Sequence, residues 1–197
     1  MRIITALLVL FAQNINAQNE KESLLSKIYF PFTYGISLTP NTKLNSGNLA
    51  KTGIEYRFNR TNGVYLRYDN NSRKNEYKIS QNLTTNVTEG ELNFNDNIIG
   101  IGYRLGKKKL KAICLFQTGL TAFEYPSITG TVNNYKLINK SVNSLLYKFT
   151  IGTEYYIGEN IAITIETDFL TIPKHSLFWS DNFTNYGFSI GLMTTLF

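Results

Sequence analysis

Large apolar and small side chains alternate along the last strand-like stretch of the chain. Glycine or serine fills the positions between the large residues, which are Tyr186, Phe188, Ile190 and Leu192. Successive side chains of a strand point to opposite faces, so one face here is bulky and apolar while the other is small and polar. The pattern predicts a strand that separates hydrocarbon from a polar interior.

Seven earlier segments show the same alternation and bring the predicted total to eight strands. These segments are about 29–38, 53–58, 64–69, 99–105, 111–123, 145–155 and 161–169. In the clear strands, charged residues fall only on the face opposite the apolar one. The charged face carries Glu55, Arg57, Arg67, Asp69, Arg104, Lys148, Glu154, Glu166 and Asp168.

The connections between these segments alternate in length. Short links at 59–62, 106–109 and 158–160 are rich in turn formers, whereas the links at 39–49, 70–93, 124–144 and 171–184 are long. Such alternation is typical of an up-and-down membrane barrel with short periplasmic turns, long extracellular loops and periplasmic termini.

The strongest alternative is a soluble lipocalin-like barrel, which keeps its apolar side chains inside. With the charged face outside, the interior would have to hold about thirty large side chains, and an eight-stranded barrel is too narrow for that and a ligand cavity. The predicted fold class is therefore all-β: an eight-stranded antiparallel up-and-down transmembrane β-barrel.

Two strands break the alternation, and each break predicts a bulge. In the fifth strand Ile113 and Leu115 share the parity of Gln117, so an extra residue is expected nearby. At the end of the chain Phe197 is one step out of phase with the apolar residues before it, and a bulge within 193–195 would restore the phase.

The first 17 residues have the three regions of a secretion signal. Met1 and Arg2 form a basic start, 3–12 are apolar, and 15–17 offer a small-residue cleavage site. We therefore expect a cleaved signal peptide at 1–17, a periplasmic lead-in segment at 18–28 and a barrel domain at 29–197; an uncleaved N-terminal anchor is the alternative. Export and a terminal barrel strand together predict the outer membrane of a Gram-negative bacterium.

Composition adds two limits. After residue 17 the sequence has no run of about twenty apolar residues of the kind a membrane helix needs. Cys114 is the single cysteine, which excludes a disulfide within the chain and favours a small buried or lipid-facing hydrophobe at this position.

The chain resembles the small eight-stranded outer-membrane barrels of the OmpA and OmpX type. The C-terminal strand with Tyr186, Phe188, Ile190, Leu192 and terminal Phe197 carries this resemblance most sharply. It implies recognition of that strand by the barrel-assembly machinery and contact with outer-membrane lipid and lipopolysaccharide. Nothing follows the barrel, so a periplasmic domain of the OmpA type is not expected. The Asn- and Lys-rich loops and the Gln18-Asn19 start look similar to outer-membrane proteins of Bacteroidetes.

Nine inward charges in a narrow barrel require compensation, because an unpaired buried charge is costly. Four bases and five acids make pairing feasible. An interior plugged by these side chains is the leading interpretation, and a small polar pore is the alternative. We therefore expect a structural or surface-interaction role, with an extracellular partner contacted through the long loops. A narrow channel for small solutes and a lipid A-modifying enzyme are the two alternatives.

The remaining chemistry in the sequence is sparse. His175 lies beside Ser176 with Asp181 nearby, a set that could serve an acyl-modifying enzyme, but their spacing carries little weight and no catalytic residue is assigned. The aromatic run 177–179 and several tyrosines, including Tyr29, suit a membrane-interface girdle.

A basic cluster lies in one predicted periplasmic turn: Lys107, Lys108, Lys109 and Lys111. We interpret it as solvated lysines facing anionic head groups rather than a nucleic-acid site. Metal-ligand spacings and phosphate or dinucleotide fingerprints are absent from the sequence, so no metal site, cofactor or nucleic-acid partner is expected.

Overall fold

The computed structural model describes residues 24–40, 44–78, 89–131, 134–173 and 182–195. Within these ranges eight antiparallel strands form a closed barrel in which each strand pairs with its sequence neighbours and β8 pairs with β1. The strands are β1 Ile28–Leu38, β2 Leu44–Arg57, β3 Gly63–Lys78, β4 Glu89–Lys107, β5 Leu110–Thr131, β6 Asn134–Tyr156, β7 Ile161–Ile172 and β8 Phe183–Thr195. A 3-10 turn, Leu24–Lys27, precedes β1. The predicted fold class is confirmed.

A belt of exposed apolar side chains surrounds one half of the barrel. Every strand contributes to it, because each strand has large apolar residues at outward positions near the short turns. Examples from four strands are Phe32 (57% exposed), Ile99 (59%), Phe149 (38%) and Ile190 (59%). A continuous belt of this kind is the surface that a membrane barrel presents to lipid. In the described ranges, no helix is long and apolar enough to span a membrane.

The strands differ greatly in length. Strands β3, β4, β5 and β6 have 16, 19, 22 and 23 residues, whereas the other four have 11 to 14. A tilted membrane-spanning strand needs only about 9–11 residues. The four long strands therefore continue well past the apolar belt, at the end of the barrel opposite the short turns.

Much of the sequence predicted as long loops consists of these strand extensions. The predicted loops at 70–93 and 124–144 lie largely within β3 to β6, and β2 begins at Leu44, inside the predicted loop 39–49. The remaining connections at this end are 39–43, 79–88, 132–133 and 173–182. Hydropathy alternation did not reveal the extensions because both faces of a segment such as 70–76 are polar.

The bulge expected in β5 is not present among its described residues. β5 pairs with both β4 and β6 without a register shift. Ile113, Leu115 and Gln117 all point inward and are at most 2% exposed. The interior next to the short turns accepts apolar side chains here, so the alternation of β5 is regular without an extra residue. Cys114 lies on the outer face and is exposed.

The bulge expected near the end of β8 is also not present at 193–195. Met193 and Thr195 both point inward, and pairing with β1 is continuous through Thr195. Phe197 lies outside the described residues, as do the expected signal peptide, the cluster of His175, Ser176 and Asp181, and the aromatic run 177–179. The domain boundaries proposed from the sequence therefore stay a prediction.

Candidate functional site in the barrel interior

The barrel interior has one wall of small residues and one of long side chains. β1 and β8 contribute only small inward residues over most of their length, which are Thr33, Gly35, Ser37, Gly187, Ser189 and Gly191. Long side chains from the other strands fill the space that this wall leaves. On the opposite side the Tyr65 ring lies against Gly102, where an added Cβ would fall 2.2 Å from a ring carbon.

All nine charged residues singled out in the sequence are buried in this interior, each at most 3% exposed. The structure brings them together in two groups along the barrel axis. The first group, which we call the central ionic layer, contains Arg67, Asp69, Lys148, Glu166 and Asp168 together with Lys51, which the sequence analysis did not include.

The central ionic layer is a continuous set of ion pairs. Arg67 donates from Nε to Asp69 Oδ1 (2.7 Å) and from Nη1 to Glu166 Oε1 (2.6 Å). Lys51 Nζ donates to Glu166 and to Asp168 Oδ2 (2.9 Å). Lys148 Nζ lies 3.3 Å from Asp69 Oδ2. Every charge in the layer therefore has an opposite charge in contact.

Neutral side chains add hydrogen bonds to the carboxylates of this layer. Gln117 Nε2 donates to Asp69 Oδ2 (2.9 Å), and the Thr150 hydroxyl donates to Asp168 Oδ1 (2.6 Å). A buried ion pair stabilises a fold only when its remaining lone pairs and protons also find partners. These two contacts supply such partners for two of the carboxylates.

The second group, the lower ionic layer, lies nearer the short turns. Arg57 contacts Glu55, and its Nη2 lies 3.3 Å from Glu154 Oε1. Arg104 Nη1 donates to Glu154 Oε2 at 3.2 Å. Both guanidinium groups also donate to the Tyr156 hydroxyl, which donates in turn to Glu154 Oε2 at 2.9 Å. The hydroxyl thus joins the two arginines to one carboxylate.

The charged residues identified from the sequence did not include three that form buried ion pairs: Lys51, Arg73 and Asp96. Lys51 changes the count of four bases and five acids to five and five, and the Arg73–Asp96 pair makes it six and six. Each shares the parity of the inward residues further along its own strand, and continuing the alternation beyond the apolar segments would have found them. The set of paired charges is therefore neutral.

The Arg73–Asp96 pair lies beyond the central ionic layer, toward the long connections. Arg73 donates from Nε and Nη2 to the two Asp96 oxygens (2.9 and 3.0 Å), and the Thr121 hydroxyl donates to the same carboxylate (2.6 Å). The Arg73 guanidinium also lies 4.5 Å from the centre of the Phe94 ring. This contact connects the ion pair to a buried apolar region.

That region is a buried apolar cluster inside the projecting half of the barrel. It comprises Leu44, Tyr77, Leu92, Phe94, Ile98, Phe123, Tyr125, Leu146, Leu170, Ile172 and Phe183. Phe94 is its centre: its ring stacks on Phe183 (5.7 Å between centroids, 8° between planes) and packs at 5.6 Å against Phe123. Burial raises the pKa of the Tyr77 and Tyr125 hydroxyls. Along β4 the inward order is Phe94, Asp96 and Ile98, so the Arg73–Asp96 pair lies among the members of this apolar cluster.

Two side chains at the short-turn end differ from their predicted positions. Tyr29, expected in the interface girdle, is 3% exposed and points inward. The Arg57 guanidinium carbon lies over the Tyr29 ring, 3.5 Å from the ring centre. Lys111, expected to be solvated with its neighbours, is 6% exposed. Its position at the start of β5 gives it inward parity, whereas Lys107, Lys108 and Lys109 are exposed. Within the described ranges, no group of three or more His, Cys, Asp or Glu residues could hold a metal ion.

Comparison with known proteins shows the fold. Neisserial surface protein A aligns with a TM-score of 0.57 at 13% identity, over 86% of this chain and 97% of that one. Ail, the attachment invasion locus protein of Yersinia pestis, in complex with the heparin analogue sucrose octasulfate, aligns with a TM-score of 0.48 at 13% identity, over 84% of this chain and 96% of that one. The N-terminal β-barrel domain of Pseudomonas aeruginosa OprF aligns with a TM-score of 0.42 at 14% identity, over 85% of this chain and 96% of that one. No family model and no curated protein matches the sequence. The chain has the fold of the small eight-stranded outer-membrane barrels.

Proposed function

We propose that this protein is an integral outer-membrane barrel with a closed lumen, and that it acts structurally or in surface interaction through its projecting half. The observation that carries the proposal is the division of the barrel into two halves. One half has an apolar belt around ionic layers, and the other has a polar exterior around the apolar cluster. The first half suits lipid, and the second suits water.

In this proposal the short-turn end faces the periplasm and the projecting half lies outside the cell. The first described residues and the end of β8 both lie at the short-turn end, since Tyr29 pairs with Thr195. A secretion signal before the barrel and assembly from the periplasm agree with this orientation. The C-terminal strand would be the contact for the assembly machinery: Tyr186, Phe188, Ile190 and Leu192 lie on its lipid-facing side, 43–59% exposed.

The interior favours a closed lumen over a narrow channel. An eight-stranded barrel is only wide enough for its own side chains. Here arginines and lysines cross the interior and contact carboxylates on other strands, as Arg67 of β3 does with Glu166 of β7. Beyond them the apolar cluster packs across the projecting half, so an ion on the axis would meet a second, largely apolar barrier.

Planar-bilayer recording tests the closed lumen. The full chain, purified in detergent and inserted into a bilayer, is expected to give no conductance steps above the baseline. An open porin inserted in the same bilayer is the positive control, and a compact unboiled gel band from the same preparation shows that the protein is folded. Reproducible unitary steps would replace this proposal by the narrow-channel alternative.

The part best suited to contact a partner is the β5–β6 ribbon, which we define as residues 125–146. β5 pairs with β4 only as far as Glu124, and the β7 pairing of β6 begins at Tyr147 among the described residues. At about 3.3 Å per residue, seven further residues of β5 reach roughly 23 Å beyond that last β4 pair. The ribbon exposes Lys136, Lys140 and Leu137, the last at 61%. A projecting two-stranded ribbon offers main-chain groups and side chains to a partner together.

Shortening the ribbon tests the surface-interaction role. Residues 126–131 pair with 134–139 without a register shift, so the segment 126–139 can be replaced by Asn-Gly, which favours a tight hairpin turn between Tyr125 and Lys140. We expect cells that display the shortened barrel to lose adhesion to surfaces coated with extracellular-matrix protein or polysaccharide. The unboiled protein should still migrate as a compact band, because the lipid-facing half is unchanged. Adhesion equal to that of the full chain would contradict a role for the ribbon.

A further inference from the structure

A pocket opens at the short-turn end of the barrel, outside the ionic layers. It has a volume of about 350 Å³ and is lined by Tyr29, Arg60, Thr61, Lys108, Lys111, Tyr156 and Glu159. These residues come from β1, from each of the three short turns and from the adjoining ends of β5 and β6. The pocket is therefore formed by the mouth of the barrel rather than by one loop, and the ring of strands fixes its shape.

The charge of this pocket is unbalanced. Arg60, Lys108 and Lys111 face one acid, Glu159, which leaves a net charge of +2 in its lining. Lys111 is the most unusual of the three because it is 6% exposed. Its Nζ donates to Asn62 Oδ1 (3.2 Å) and to the Gly106 carbonyl (3.3 Å), both neutral oxygens. No carboxylate in the described ranges lies within ion-pair distance of Lys111, in contrast to the paired cations of the ionic layers.

The floor of the pocket keeps these cations separate from the carboxylates below. The Tyr156 hydroxyl is already engaged by Arg57, Arg104 and Glu154, and one face of the Tyr29 ring is covered by Arg57. Arg104 also donates to the Arg60 carbonyl, which fixes the backbone of this turn. Each acid of the lower ionic layer contacts an arginine of that layer and none is paired with Lys111, so the charge of Lys111 is left for a ligand.

We propose that this pocket binds a phosphate group, carried either by a small solute or by a lipid head group. Convergent cations from separate turns suit a phosphate, whose oxygens accept several charge-assisted hydrogen bonds at once, and arginine can engage two of them. The volume is at the small end of the range for small-molecule sites and leaves room for a glycerol or sugar unit beside the phosphate. Glu159 can accept a hydrogen bond from a hydroxyl of that unit.

The position of the pocket allows either source of phosphate. Exposed apolar residues next to the turns, Leu105, Leu110 and Ile157, mark the edge of the lipid-facing belt, 57–59% exposed. The mouth therefore lies close to the level of the lipid phosphates and also opens to the aqueous phase. The phosphate site does not depend on the surface-interaction role proposed above.

Binding is tested with the full chain in detergent and in nanodiscs. Inorganic phosphate and glycerol 3-phosphate, titrated calorimetrically against detergent-solubilised protein, probe the soluble source. Nanodiscs of phosphatidylglycerol or phosphatidylcholine, with competition by glycerol 3-phosphate, probe the lipid source. We expect saturable binding by the wild type and an affinity at least about tenfold lower for Lys111→Met, since the buried ammonium is the least solvated cation of the site.

Lys107→Met is the matched control, because it removes the same charge from the same lysine cluster at an exposed position outside the pocket lining. It should bind phosphate as the wild type does, and Lys111→Arg should retain most of the affinity. If Lys111→Met fails to fold, Lys108→Gln, at an exposed position of the pocket lining, should lower the affinity for phosphate instead. The proposal would be overturned if neither the phosphate compounds nor the nanodiscs bound saturably. It would also be overturned if Lys107→Met lost as much affinity as the pocket variants. Binding confined to the solute arm or to the phosphatidylglycerol arm identifies the source.

Discussion

Replacing Arg67 with methionine is expected to lower the free energy of unfolding of the barrel by about 3–5 kcal/mol, the usual cost of removing one partner from a buried ion pair. Arg67 is 1% exposed and contacts both Asp69 and Glu166. Methionine fills a similar volume without charge, so the central ionic layer keeps an excess negative charge that water cannot reach. Urea unfolding in lipid vesicles, followed by the fraction of compact unboiled band, measures the loss.

Lys78→Met is the matched control for this prediction. Lys78 also pairs with a carboxylate, Glu89, at 2.6 Å, but both side chains are mostly exposed, and this contact raises the pKa of Lys78. A surface ion pair contributes little, so the urea midpoint of this variant should stay near that of the wild type. Adding Glu166→Gln to Arg67→Met should recover part of the stability, because it removes the excess negative charge of the layer at a carboxylate that has kept Lys51 alone as its cation. If Arg67→Met is no more destabilising than Lys78→Met, the central layer is hydrated and the closed lumen is wrong.

The inward charges could be identified in the sequence wherever the outer face is apolar. At Glu55 and Arg57 the outward neighbours are Ile54 and Tyr56, so the contrast between faces is sharp. At Lys51 the outward neighbours are Ala50 and Thr52, and hydropathy no longer distinguishes the faces. The lipid-facing half of the barrel was therefore predictable from alternation, and the projecting half was not.

The projecting half reverses the pattern that defines the lipid-facing half. In β4 the inward residues Phe94 and Ile98, on either side of the ion-paired Asp96, are buried and apolar, while Asn95 and Asn97 are exposed on the outer face. A soluble barrel has this arrangement, which was the alternative considered for the whole chain. The two arrangements occur in one set of continuous strands, and the environment changes along the strand at about Ile99. Lipid on one side of this level and water on the other give a physical reason for the reversal.

Phe94→Ala is expected to loosen the projecting half while the lipid-facing half stays folded. Truncating a buried phenylalanine costs about 3–5 kcal/mol through lost burial and the cavity left behind. Phe94 contacts Phe183, Phe123 and Arg73, so its removal weakens the link between β3, β4, β5 and β8 above the belt. Hydrogen exchange resolved by peptide should show faster exchange in 89–98 and 120–131, with little change in the belt segments.

The control for this prediction is Leu137→Ala, which removes an apolar side chain that is 61% exposed on the β5–β6 ribbon and should leave exchange in 89–98 unchanged. Arg67→Met acts in the other layer, so it should lower global stability by more than Phe94→Ala does when unfolding is read from the compact band. The apolar cluster contributes to stability through burial away from water, whereas a broken ionic layer leaves an unpaired charge inside the part of the barrel that crosses hydrocarbon. Equal protection of 89–98 in Phe94→Ala and the wild type would mean that the cluster does not hold the projecting strands together, and the two-part description of the barrel would fail.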